Sequence, residues 1–141
     1  MSESRLYTFS QETKEQLRKF RLGTSRAKTP LAKIYQIDVK TQEIKPSSDE
    51  TYSDLQELAD DLPDSSPRFV LLSYPLTLPS GRLSVPYVLI YYLPVNSNPN
   101  LRMSYAGAVE LFRGTAEVNR VLEVSEAEDV VGIESQLKGE D

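Results

Sequence analysis

The residue types that most often do chemistry are scarce in this chain. It has no histidine and no cysteine, which removes imidazole-activated serine and cysteine nucleophiles and, with them, ordinary zinc sites. No glycine-rich phosphate loop is present: Gly81 stands alone in a turn signal and Gly107 lies inside a helical pattern. The Asp60-Asp61 pair with Asp64 is an acidic grouping whose carboxylates have the chemistry to hold magnesium. Acids at a helix end before a proline-bounded loop are usually solvated, so neither a metal nor a cofactor is expected. A lysine- or tyrosine-based enzyme is left open by composition, but no spacing points to one. The expectation is a protein that binds rather than catalyses.

The side chains suited to binding lie after residue 100. At about 100° per residue, Leu101, Tyr105, Ala108 and Phe112 fall on one side, the spacing of a stripe that faces a core. Arg102, Met103, Ala106, Gly107, Glu110 and Arg113 fall on the other. An exposed methionine beside two small residues is unusual for a solvated face. Methionine adapts to what it meets, small residues admit a close neighbour, and a mid-helix glycine costs roughly 1 kcal/mol relative to alanine. Two readings follow: a surface for another protein, or a helix lying partly under a loop of its own chain.

The elements that must position this face can be taken in order. Ser10 predicts an N-cap for a helix to about Arg21, with Leu17 and Phe20 inward, Lys19 and Arg21 at its basic end, and Gly23 as its stop. Residues before Phe9 read as a flexible leader. Ala32 to Val39 and Glu43-Ile44 predict a hairpin. Ser53 with Gln56 matches a capping box for a short helix with Leu55, Leu58, Ala59 and Leu62 inward. The apolar runs Arg68 to Tyr74 and Tyr87 to Leu93 lack polar alternation and predict strands covered on both faces. The turn signal Pro79 to Arg82 joins them as a long hairpin. Val121 to Val124 predicts a short edge strand, and Ser125 with Glu128 a capping box for a last helix through Leu137. The class is therefore α/β of the layered α+β type: one domain with a central mixed β-sheet sandwiched between helices.

The 141 residues suffice for one core. No apolar run approaches a membrane span, no secretory signal pattern opens the chain, and the lack of cysteine fits a reducing location. The net charge of −5 conceals an asymmetry: ten Lys/Arg against five Asp/Glu through Lys45, then six against sixteen. That argues against nucleic acid and for a charged protein partner.

The chain resembles the glia maturation factor branch of the actin-depolymerising-factor homology superfamily over nearly its full length. The residues that carry the resemblance are Met1-Ser2-Glu3-Ser4, Leu17-Arg18-Lys19-Phe20-Arg21, Leu62-Pro63, Pro67-Arg68-Phe69-Val70, Ser73-Tyr74, Gly81-Arg82, Ser84, Pro86 and Met103-Ser104-Tyr105-Ala106-Gly107. The resemblance implies a homology domain over residues 5–138, with residues 1–8 a flexible segment that shares in the binding surface. It implies a non-catalytic monomer that binds the actin-related protein 2/3 complex, with actin at the branch junction as a further candidate partner, and that promotes debranching of filaments and inhibits branch nucleation. It also implies a cytoplasmic, cytoskeletal location in cortical actin patches, with the nucleus as a second site.

Carried onto this sequence, the main surface implied is Ser2, Glu3, Ser4, Lys19, Arg21, Arg102, Met103, Ala106, Gly107, Glu110 and Arg113. A second surface would use Arg82, Glu126 and Glu134. Phosphorylation of Ser2 or Ser4 would bring negative charge beside the basic edge. Cofilin-type relatives carry lysines where this chain has Asn100, Ala108, Val109 and Glu110. The competing expectation, a cofilin-like protein that binds actin monomers or filaments, is weakened accordingly.

Overall fold

The computed structural model describes residues 7–24 and 28–138. Its elements are α1 (Gln11–Gly23), β1 (Leu31–Asp38), β2 (Glu43–Pro46), α2 (Leu55–Asp61), β3 (Arg68–Ser73), β4 (Leu76–Thr77), β5 (Leu83–Ser84), β6 (Tyr87–Tyr92), α3 (Pro99–Ala116), β7 (Arg120–Val124), α4 (Glu128–Val131) and α5 (Glu134–Lys138). Five strands form one mixed sheet in the order β2-β1-β3-β6-β7. All neighbours are antiparallel except β6 and β7, which run parallel because α3 carries the chain back across the sheet. The expected layered α/β domain is what forms, with β7 at an edge.

Alternation along the two central strands explains the layering. Side chains point to opposite faces at every step, and both sets are apolar. Phe69, Leu71, Leu89 and Tyr91 enter one core with Leu17 of α1 and Tyr105, Ala108 and Phe112 of α3. Val70, Leu72, Val88, Ile90 and Tyr92 enter the other, with Leu58 of α2, Val130 of α4 and Leu137 of α5. A strand that is buried on both faces has no solvent side to mark with polar residues. That is why β3 and β6 read as unbroken apolar runs.

The α3 helix is fixed at both ends and in the middle. Asn98 caps its start by accepting from the Asn100 N–H at 2.7 Å, with Pro99 in the first turn. The phenol of Tyr105 accepts the Ile37 backbone N–H at 2.9 Å, pinning the helix to β1. Phe112 packs on Phe69 and Tyr35, with ring centroids 4.9 and 5.3 Å away. Glu117 ends the helix in the left-handed region at φ 58°.

Several local expectations need correction. The first helix runs two residues beyond Arg21, through Gly23, because Thr24 closes it by donating its hydroxyl to the Arg21 carbonyl at 2.8 Å. Asp54 caps α2 in place of Ser53, accepting from the Gln56 N–H at 2.8 Å. The last helix is two short ones, α4 and α5, parted at Gly132. No side-chain cap forms at the start of α4, because Asp129 accepts the Glu126 N–H instead of a box closing at Ser125. The segment expected to be flexible overlaps the described chain at Tyr7 and Thr8, and both are held. Thr8 bridges to the first residue of β2 through two backbone hydrogen bonds, Thr8 N–H to the Gln42 carbonyl and Ile44 N–H to the Thr8 carbonyl.

Candidate protein-binding surface

The outer face of α3 lies opposite the stripe that the sheet buries. Met103 is 75 % exposed, and Ala106, Gly107 and Glu110 are exposed with it. Fixing Tyr105, Ala108 and Phe112 inward leaves these positions outward by helix geometry alone. The arginines at the edges of the face are already engaged. Arg102 is half-buried and donates to the Pro94 carbonyl at 3.1 Å, which ties the start of α3 to the loop before it. Arg113 donates two hydrogen bonds to the Glu110 carboxylate, the nearer at 2.8 Å. Met103 is thus the one large apolar group standing free on this face among the described residues.

Gly107 has a different explanation from the one its sequence suggests. A side chain there would put Cβ 2.9 Å from the Tyr7 hydroxyl, closer than real Cβ contacts allow. The neighbour admitted by this glycine is therefore Tyr7 of the same chain. Its hydroxyl donates to the Ser104 carbonyl at 2.8 Å, and the ring is half-buried against the core beneath. The reading of the helix as lying partly under its own chain holds at Gly107 and fails at Met103. Sequence reasoning missed Tyr7. The signal it left was the odd glycine itself.

The basic end of α1 stands beside α3. Lys14, Arg18 and Arg21 line a cavity of about 230 Å³ together with Thr115, Ala116 and Glu117, and Arg21 pairs with Glu117 at 3.6 Å. Lys19 is exposed but lies outside this group, roughly 160° around α1 from Arg21. Ser2, Glu3 and Ser4 fall outside the described residues.

The three residues of the expected second surface are only partly gathered. Arg82 is exposed at the tip of the β4–β5 hairpin, next to Leu83, which is 77 % exposed. Glu134 is tied to the base of that hairpin by the Tyr74 hydroxyl and is paired with Lys138 at 2.8 Å. Glu126 is exposed in the turn between β7 and α4. The acids first considered as metal ligands lie elsewhere. Asp60 and Asp61 line a cavity of about 670 Å³ with Glu50, Tyr52 and Arg68, and they accept hydrogen bonds from Gln56 and Tyr52 respectively. Among the described residues no three acidic side chains converge as a cation site needs.

The family profile of cofilin/tropomyosin-type actin-binding proteins matches residues 6–137. Glia maturation factor of Drosophila melanogaster is 32% identical over 132 residues, spanning 92% of this chain and 93% of that one. The chain belongs to this actin-binding family, in its glia maturation factor branch. Protein AIM7 of Saccharomyces cerevisiae is 37% identical, with 96% of this chain and 98% of the relative covered. The solution structure of glia maturation factor from Caenorhabditis elegans superposes with a TM-score of 0.73 at 31% identity, covering 92% of each chain. Human coactosin-like protein superposes with a TM-score of 0.76 at 13% identity, a likeness of fold alone. Membership places the chain among actin-cytoskeleton regulators that carry the homology domain. No helix among the described residues is long and apolar enough to cross a membrane.

Proposed function

We propose that this protein binds the actin-related protein 2/3 complex through the outer face of α3, promotes the loss of filament branches and inhibits their nucleation. The observation that carries the reading is Met103, three-quarters exposed on a rigidly docked helix. An adaptable apolar group with a charged rim has the anatomy of an interface centre. The protein is not expected to do chemistry. It acts by binding the loosened branch junction more tightly than the intact one, since a ligand moves an equilibrium only by its differential affinity.

A cofilin-like preference for actin is the second reading, supported by the family's actin-binding character. Ala108 is fully buried, so the lack of lysine there says nothing about the outer face. Asn100 and Glu110 are exposed, and an acid at Glu110 disfavours the lysine-dependent contact expected of cofilins.

Met103→Ala should slow debranching roughly tenfold, about 1.4 kcal/mol, in time-resolved imaging of branched filaments. The same variant should leave thermal stability unchanged. Normal debranching by this variant would show that the face is wrongly assigned. Co-sedimentation with unbranched filaments at physiological salt separates the two readings, and clear pelleting would favour the second.

A further inference from the structure

We propose that Tyr7 is a contact residue of the α3 surface, held in place for the partner by a seat that Gly107 provides. The inference rests on the reading of that face as the site for the actin-related protein 2/3 complex, and adds a residue to it. Three consecutive residues are anchored to three different places. Tyr7 donates to the Ser104 carbonyl, Thr8 bridges to Glu43 at the start of β2, and the Phe9 ring packs 6.1 Å from that of Phe112. This fixes the path of the chain over α3 just where residue 107 lacks a side chain. A Cβ on residue 107 would lie 2.9 Å from the phenol oxygen and in ordinary contact, at 3.8 Å, with two ring carbons, so it is the phenol tip that stands where a side chain would begin.

Met103 and Gly107 are one helical turn apart on the same face. The Tyr7 hydroxyl, set between Ser104 and Gly107, therefore lies within one turn of the free methionine, and the half-exposed ring adds apolar surface to this face, with Glu110 and Arg113 toward the C-terminal rim. A tyrosine suits that place: a broad apolar body, a polar tip already satisfied, and few torsions to freeze. Holding it in position before the partner arrives reduces the ordering cost of binding. Glycine weakens a helix interior, and the seat gives this one a reason to be there.

The test is affinity for the purified actin-related protein 2/3 complex, measured by fluorescence anisotropy of the labelled full chain, alongside melting temperature. Tyr7→Ala should weaken binding about tenfold, and Tyr7→Phe, which keeps the ring and loses its bond to Ser104, by about threefold. Gly107→Ala, which displaces only the phenol tip, should weaken binding about threefold, as Tyr7→Phe does, without lowering the melting temperature, since alanine favours the helix. General destabilisation cannot produce that pairing. The double variant Tyr7→Ala/Gly107→Ala should bind no more weakly than Tyr7→Ala alone, because the seat acts only through the ring. Wild-type affinity in Tyr7→Ala, or an undiminished Gly107→Ala effect in its background, would overturn the inference. If Met103→Ala is impaired while Tyr7→Ala is not, only the role of Tyr7 falls. If both bind normally, the face itself is wrong and the inference goes with it.

Discussion

Met103 and Arg102 are adjacent in sequence and opposite in role, and the difference can be measured. Met103 touches little, so its truncation should alter stability by less than about 0.5 kcal/mol, as for most exposed positions. Arg102 holds the loop carbonyl of Pro94. Arg102→Met should lower stability by about 1 kcal/mol, the net worth of one hydrogen bond, as read from urea denaturation. If Arg102→Met proved as stable as wild type, the tie to Pro94 would be ornamental and the arginine could be counted as a free contact. Helical periodicity made Met103 legible in the sequence, because the inward stripe Tyr105, Ala108 and Phe112 leaves it nowhere else to point. Tyr7 was not legible: its partner carbonyl at Ser104 is 97 positions away, and no local pattern encodes a contact at that range.

Among the elements, α5 is short and depends on what holds it. Its first residue, Glu134, accepts from the Tyr74 hydroxyl and pairs with Lys138. Lys138 first, and Tyr74 second, hold the Glu134 carboxyl below its usual range. The same bond, aided by burial, pushes Tyr74 up to about 12. For an acid with a lowered pKa, the stabilising contribution is present above the ordinary carboxylate range and is lost as pH falls through the folded value. For the raised phenol, it is complete below roughly 10 and is lost as pH climbs toward 12. Tyr74→Phe should therefore speed amide hydrogen exchange in α5 at neutral pH, and the gap between variant and wild type should close as Glu134 is protonated. Unchanged exchange at Leu137 in the variant would show that the core alone holds this helix. The strands and long helices were readable because their apolar periods are strong. The two capping boxes were not, because chain geometry chose among equally suitable residues. Tyr52 is fixed to Ala32 by a pair of backbone bonds, which leaves Ser53 as a linker and brings Asp54 to the cap. Gly132 interrupts the last helix within a stretch whose apolar spacing is continuous.

Across the whole molecule, tyrosines serve as large core residues in both layers, and this sets a limit to the fold at high pH. Tyr35 is fully buried and Tyr91 nearly so on the α1–α3 side, while Tyr52 and Tyr92 are buried on the other. Burial raises the phenols of Tyr35, Tyr91 and Tyr92, and pushes those of Tyr52 and Tyr87 up to about 12. In the unfolded chain each would ionise near 10. Every such shift thus contributes stability that is complete below roughly pH 10 and drains away as pH rises through the folded values. Because the two cores share the central strands β3 and β6, losing one layer exposes the inner face of the other. Alkaline titration should therefore give a steep rise in phenolate absorbance, delayed beyond pH 10 and coincident with the loss of circular dichroism. Replacing Tyr35 by Phe should move that transition to higher pH, since the most deeply buried phenol would no longer have to ionise. A gradual titration centred near 10 with the dichroism intact would mean that the phenols reach solvent without unfolding, and that the layer supporting α3 is looser than its packing implies.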